Sequence, residues 1–296
     1  MSPSLTILIS GATGLIGKPL CAALQARGHQ IRTLSRSKHG DVQWDVDAGR
    51  LDAAALNGVD AVIHLAGESV VQRWTAAAKE RILQSRVQST RLLVDAILQQ
   101  APGPAFISAS GISYYGTDLE AWADESSPMG DGFLAEVTQQ WEAAARPLSE
   151  AGIRTAFMRT GIVLSGQGGA LAKMLTPFRL GVGGRIGNGQ QQMSWISLPD
   201  LVQAYIFAVE NESVCGAINA VAPLPVSNAE FTATLGTILG RPTVFPVPAA
   251  IVKMIFGEMG EETVLSNLAV RPQRLTELGF EWQHPELESA LLAAIH

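Results

Sequence analysis

The chain has 296 residues, 47% of them hydrophobic and 16% charged, and a formal net charge of −6. That is enough apolar matter for one large domain, or a large domain with a small one. Lys and Arg occur singly rather than in blocks, which argues against a nucleic-acid or anionic-membrane partner. The two cysteines, Cys21 and Cys215, lack the spacing of a zinc site or a disulfide framework. They read as buried thiols, and no metal is expected. A strand candidate at Leu5 leaves no room for a basic leader, and no apolar run of about eighteen residues follows, so a cytoplasmic location is expected.

Leu5–Ser10 is a short apolar run that suits a strand covered on both faces. Leu15–Arg27 has helical spacing and stops at Gly28, and His29–Ser35 is the next strand, which completes a βαβ unit. Val59–Leu65 reads as a strand, Thr75–Gln100 as a long helix and Ala105–Ser110 as a strand. Leu134–Ala151 is helical and Ile153–Arg159 is a strand again. This alternation predicts an α/β fold with a doubly wound parallel sheet. After Gly161, glycine-rich and proline-containing stretches interrupt it. The expected division is residues 1–165 as a dinucleotide-binding domain, with 195–222 returning to it through Leu198–Glu210 and Gly216–Ala220. Residues 166–194 and 223–296 form a smaller lobe with helices over Ser227–Gly240, Pro248–Gly257 and Pro285–Ile295.

The heptad GATGLIG at 11–17 joins the first strand to the first helix. The N-terminus of a helix presents unpaired N–H groups and the positive end of its dipole, so it attracts a pyrophosphate. Gly11 would make the tight turn, Gly14 would admit the phosphate and Gly17 would let the helix pack closely, with Thr13 inside the same loop. A cofactor ribose should meet the end of the second strand, about 18–20 residues beyond the third glycine. That end reads Leu34-Ser35-Arg36, without an acid. Ser35 and Arg36 therefore favour NADP(H), the guanidinium taking the 2′-phosphate. HLAGES at 64–69 opens a strand end into Ala66 and Gly67, small residues beside which a cofactor can lie.

Together GATGLIG, LSR, HLAG and SASGISYYG resemble an extended short-chain dehydrogenase/reductase, a Rossmann-type group that contains the nucleotide-sugar epimerases. Further stretches, among them RTGIVLSGQGGALAKM, GGRIGNGQQQMSWISLPDL and RPQRLTELGFEWQHPELESAL, resemble the branch called epimerase family protein, which carries a small C-terminal domain of unknown function. The resemblance implies NADP contacts at Gly11, Gly14, Leu15, Ile16, Gly17, Ser35, Arg36, Leu65, Ala66, Arg86 and Val163. Arg86 lies in QSRVQST, where the group's Ser-Arg pair resembles a phosphate-side contact; by itself it reads equally as an exposed helical charge.

The group's working members move a proton with a Tyr acidified by a Lys four residues later, aided by a Ser or Thr. This chain has three tyrosines, and residues 118, 119 and 209, four positions beyond them, are Asp, Leu and Val. Gly132-Phe133-Leu134-Ala135-Glu136-Val137-Thr138 stands where the dyad should lie. Ser110 matches the hydroxyl helper and Tyr115 precedes Gly116 as in the group's Tyr-Gly step. Glu68, just past the Ala-Gly turn, is a further proton-transfer candidate, with Tyr114, Asp124 and Glu136 as substitutes. His64, inside an apolar strand, reads as a paired core histidine. His29 and His39 read as turn residues, and Trp195 and Trp282 as packing residues.

GGRIGNGQQQMSW places Arg185, Asn188 and Gln190 on a flexible, polar, glycine-rich loop of the kind that closes over a polar ligand. Two readings follow. One is an NADP-dependent oxidoreductase or epimerase-like enzyme acting on a polar small molecule, such as a nucleotide sugar. The other is a catalytically lapsed module that senses NADPH and regulates a partner.

Overall fold

The computed structural model describes residues 3–38 and 40–295, so the turn expected at His39 lies outside the described residues. The chain opens with β1 (Thr6–Ser10), α1 (Gly17–Ala26), β2 (Gln30–Ser35), β3 (Val42–Asp45) and β4 (Arg50–Leu51). It continues with β5 (Ala61–His64), α2 (Ala76–Ile97) and β6 (Ala105–Gly111), the last running into a 3-10 turn at Ile112–Tyr115. Next come α3 (Phe133–Ala144), α4 (Arg146–Glu150), β7 (Thr155–Thr160), β8 (Ile162–Leu164) and α5 (Gly169–Arg179). The remaining elements are β9 (Gln192–Met193), β10 (Trp195–Ser197), α6 (Leu198–Glu210), β11 (Gly216–Ala220), β12 (Val226–Ser227), α7 (Asn228–Leu239), α8 (Ala249–Met259), α9 (Gln273–Glu277) and α10 (Leu287–Ile295).

The main sheet runs β11-β7-β6-β5-β1-β2-β3-β4, parallel except for the β3–β4 pair. Alternation within each strand feeds two cores. Ile7 and Ile9 pack with Leu20, Leu24 and the α6 residues Leu201 and Tyr205 on one face. Leu8 joins Leu93, Ile97 and Phe106 on the other. Helices on both faces make the sheet doubly wound. Its order reverses at β1, which has β2 on one side and β5 on the other. The crevice outside the carboxyl ends of β1 and β5 is therefore the ligand position such a fold offers.

The expected helix 134–151 is broken in two. Pro147 sits in the first turn of α4, where its missing N–H is harmless, whereas a continuous helix would need that donor. A third core gathers Leu171, Leu175 and Phe178 of α5 with Phe231 and Leu235 of α7 and Leu287 and Leu291 of α10. The glycines before α5 and Pro177 within it hide this helix from periodicity. Leu275 and Phe280 pack in the same core as Ile7, Ile9 and Tyr205, and Phe280 meets Phe207 edge-on at 5.5 Å. The expectation of two buried thiols is corrected, since Cys215 is exposed in the turn before β11 and Cys21 is half-buried.

Candidate functional site

The glycine loop leaves β1 with Gly11 at φ +72°, in the left-handed region that favours glycine. A Cβ there would stand 2.9 Å from the Leu65 carbonyl carbon, so the loop lies flush against the exit of β5. At Gly17 a Cβ would drive into the Gly11 carbonyl and come within 2.8 Å of Ala12 Cα. Gly14 donates its N–H to Gly11 O at 3.0 Å, closing the turn that holds Thr13. α1 then begins with no side chain capping it and no acid in its first turn. Its leading N–H groups face the crevice with the dipole behind them, so a diphosphate fits this cradle.

The other walls carry the remaining expected contacts. Leu15 reaches the loop before α5, where a Cβ on Gly168 would be 3.2 Å from Leu15 Cδ1, and the Val163 carbonyl borders Gly169. Ile16 is the half-buried residue that starts α1. Leu65 and Ala66 donate their N–H groups to Ser10 Oγ at 3.2 and 3.3 Å. At the end of β2, Ser35 Oγ is 3.1 Å from Ser37 Oγ, and the Arg36 side chain is exposed.

Arg86 is not an exposed helical charge. Its Nη1 donates to Glu68 O at 3.0 Å and Ile82 O at 2.9 Å, and its guanidinium lies 5.1 Å from the Trp141 ring centroid. Gly67 makes room for it, since a Cβ would meet Arg86 Cζ at 3.1 Å. Burial pushes its pKa down to about 10. Among the described residues no carboxylate forms a salt bridge with it, although the nearby Glu68 charge favours its charged form.

His64 is fully buried between Ser10 Oγ at 2.7 Å and Ser89 Oγ at 3.1 Å. Burial, with the Arg86 charge nearby, drives its pKa down to about 3. The folded protein thus holds the imidazole neutral while the unfolded chain protonates it near 6.5. The resulting stability is complete above pH 6.5 and is lost as pH falls from there toward 3. Between pH 6.5 and 5 the loss is about 2 kcal/mol. Urea melts at the two pH values should show it in wild type and not in His64→Gln.

The dyad position is filled by inert groups. Leu134 is buried, and the Thr138 hydroxyl donates to the Leu134 and Ala135 carbonyls of its own helix. Ser110 and Tyr115 instead belong to a buried chain of polar groups. Ser110 Oγ donates to Glu142 at 2.7 Å, and Glu142 accepts from Arg159 Nε and Nη2, each at 2.8 Å. Arg159 Nη1 donates to the Tyr115 hydroxyl at 3.0 Å, which donates to Asn219 Oδ1 at 2.8 Å. Arg159 also lies over the Tyr114 ring, 3.4 Å from its centroid. Burial pushes the Tyr115 pKa up to about 12. Both hydroxyls are therefore already hydrogen-bonded to neighbouring side chains of the protein.

Glu142, Arg159 and Asn219 do not stand out in the sequence motifs. One signal was available: Arg159 stands within the apolar run TAFMRTGIVL, and a charge in a central strand demands a partner. Of the other candidates, Asp124 holds a turn by accepting from Ser126 N and Oγ, which keep its carboxyl below the usual range. Glu136 is on the exposed face of α3, bonded to Gln140. Glu68 is different. Its N–H is fixed by Ser85 Oγ and its carbonyl by Arg86, while among the described residues its half-buried carboxylate accepts from Gln72 Nε2, at 3.3 Å, and lies within reach of the Arg86 charge.

The glycine-rich loop that carries Arg185, Asn188 and Gln190 is tied to neighbouring segments by hydrogen bonds. Gly187 N donates to Val247 O, Val247 N to Arg185 O, and Ile186 N to Asn228 Oδ1 at 2.7 Å. A cleft of about 360 Å³ lies beside it, lined by Ile186, Gly187, Asn188, Gln191, Ala249 and Leu265. Asn188 faces this cleft; Arg185 and Gln190 are exposed on the same loop outside its lining. Among the described residues no three His, Cys, Asp or Glu side chains gather as a metal site, and no helix is long and apolar enough to cross a membrane.

A doubly wound sheet with a glycine cradle at its switch point defines a Rossmann-type dinucleotide-binding architecture. The NAD dependent epimerase/dehydratase family matches residues 7–220, and a domain of unknown function, DUF1731, matches residues 247–294. Human epimerase family protein SDR39U1 is 40% identical over 292 residues, covering 96% of this chain and 98% of that protein. Epimerase family protein YfhF of Bacillus subtilis is 34% identical, covering 97% of each. The crystal structure of human SDR39U1 (isoform 2) with NADPH superposes with a TM-score of 0.90 at 38% identity, covering 98% of this chain and 99% of that one. UDP-N-acetylglucosamine 4-epimerase from Bacillus cereus, at 18% identity and a TM-score of 0.76, shares the fold. The chain belongs to the NAD-dependent epimerase/dehydratase family, with DUF1731 at its C-terminal end.

Proposed function

We propose that the protein binds NADP(H) and acts as an oxidoreductase or epimerase-like enzyme on a polar small molecule, such as a nucleotide sugar, in the cytoplasm. The observation that carries this reading is the uncapped start of α1 behind Gly11, Gly14 and Gly17, with Arg36 exposed at the end of β2 and no acid among Leu34, Ser35 and Arg36. The crystal structure of the human relative with NADPH supports the same choice of cofactor. The cofactor would be held by Gly11, Thr13, Gly14, Leu15, Ile16 and Gly17 at the diphosphate, and by Ser35 and Arg36 at the 2′-phosphate. Leu65, Ala66, Gly67, Arg86 and Val163 complete the crevice.

When bound, the cofactor supplies hydride chemistry. The chain's part is to orient substrate and handle a proton. Ser110 and Tyr115 act as positioning groups within the Glu142–Arg159 network, which braces β6, β7 and β11 at the carboxyl edge of the sheet. Glu68 is the proton-handling group of this reading, because its backbone is fixed while its carboxylate has a single amide partner. Arg185, Asn188 and Gln190 would meet the polar end of the substrate.

The test compares NADPH with NADH by thermal shift in wild type and Arg36→Ala. Ligand at about 100 times its dissociation constant stabilises by roughly 2.7 kcal/mol. Wild type should show that gain at lower NADPH than NADH, and Arg36→Ala should lose the preference. Equal responses in wild type would remove the 2′-phosphate assignment. A second reading, a module that senses NADPH without turnover, is favoured by the internal commitment of Ser110 and Tyr115. A metabolite panel followed at the reduced-cofactor absorbance separates the two: turnover that depends on Glu68 supports the enzyme, and silence with bound NADPH supports the sensor.

A further inference from the structure

α2 and α3 follow the parallel strands β5 and β6, so both helices begin at the carboxyl edge of the sheet, where the cofactor crevice opens. A segment of the C-terminal domain reaches that edge and makes polar ties to both. Glu258 pairs with Lys79 in the first turn of α2. Glu262 accepts the Phe133 N–H on Oε1 and the Leu134 N–H on Oε2, each at 2.8 Å, and so occupies the start of α3. Gly132, at φ +117°, allows this approach, since a Cβ there would stand 3.2 Å from the Glu262 carboxylate. Lys79 Nζ also lies over the Phe133 ring, 4.7 Å from its centroid, and Phe133 packs against Trp74 at 4.9 Å.

The segment carrying these ties has few buried anchors: Val252 and Met259 of α8 and Gly260 after it, with the exposed Lys253–Glu261 pair at 2.8 Å spanning Gly257. Gly257 breaks the helix at φ 56°, ψ −142°, directly before Glu258. After it the chain forms a single π-helical turn, Gly260–Val264. The cleft beside Asn188 is bounded by Ala249 at one end of this segment and Leu265 at the other.

We propose that residues 257–264 are a latch across the mouth of the crevice, held shut by Glu258 on Lys79 and by Glu262 on the start of α3, and that it swings about Gly257 to admit substrate. Two properties follow from its chemistry. The Glu258–Lys79 tie is partly exposed, so salt weakens it. When the Glu262 tie opens, water replaces its carboxylate on the two α3 donors, so the closed form is favoured by the charge-assisted bonds it keeps. The gating role rests on the reading of the crevice proposed above; the latch itself does not.

Hydrogen exchange on the full chain, read by mass spectrometry, tests it. Peptides covering 130–137 and 257–266 should exchange about tenfold faster in Glu262→Ala, the size expected for loss of charge-assisted hydrogen bonds. Glu258→Ala and Lys79→Met should accelerate the same peptides, whereas those of β6, α7 and α10 should keep wild-type rates. Unchanged exchange in all three variants overturns the latch. So does acceleration that spreads through α7 and α10, which would make the contacts a structural clasp of the whole lobe. Local acceleration in a protein that binds no NADPH would uphold the latch and sink the cofactor reading instead, so the two failures are distinguishable.

Discussion

Gly17→Ala is expected to abolish NADPH binding and to lower stability by about 3 kcal/mol, a loss typical of strain forced on a closely packed backbone. The added methyl cannot be absorbed by a side-chain adjustment. It would run into the Gly11 carbonyl and stand 2.8 Å from Ala12 Cα, both backbone atoms of the phosphate loop. The loop must move outward from α1, and that motion breaks the turn closed by Gly14 N–H on Gly11 O. The N–H groups aimed at the diphosphate then lose their common focus. Calorimetry with NADPH and a urea melt check the two effects separately. The contrasting control is Gly28→Ala, where a Cβ meets nothing within 4 Å. Its cost is conformational only, about 1 kcal/mol at φ +89°, with cofactor binding intact.

Glu142→Ala should be comparably damaging to stability for an electrostatic reason. The Arg159 side chain is 5% exposed and donates to Glu142 through two nitrogens at 2.8 Å. Removing the carboxylate leaves a buried guanidinium with the Tyr115 hydroxyl as its remaining side-chain acceptor, and orphans the Ser110 hydroxyl. Breaking a buried pair from one side costs about 3–5 kcal/mol. For a chain of 296 residues that is a fall in melting temperature of about 5–8 °C. Glu142→Ala combined with Arg159→Met should recover a large part of it, because the stranded charge is gone. If the single variant melts like wild type, the network contributes no stability.

Local signals carried most of the fold. Alternating Ile7, Leu8 and Ile9 announce a strand buried on both faces, and α6 and β11 lie at Leu198–Glu210 and Gly216–Ala220, where hydrophobic spacing puts them. The glycine loop is legible for the same reason, since its strand, turn and helix are contiguous. What the sequence hid is long-range. Ser110, Glu142, Arg159 and Asn219 come from four different elements and meet only when β6, β7, β11 and α3 are assembled. Glu262 reaches α3 from 128 residues beyond Leu134. Buried Arg86 looks like any polar residue of an amphipathic helix until Gly67 and Trp141 are placed around it. α5 was lost because its glycine-rich approach and internal Pro177 mimic a loop.

The claim on which the rest depends is that the start of α1 holds the diphosphate of a nicotinamide dinucleotide whose 2′-phosphate meets Arg36. Isothermal titration of the 296-residue chain with NADPH, and in parallel with NADH, measures this directly. A saturable one-to-one isotherm with NADPH, weakened in Arg36→Ala to the affinity seen for NADH, is the predicted result. Absence of heat with both coenzymes at millimolar concentration would contradict it.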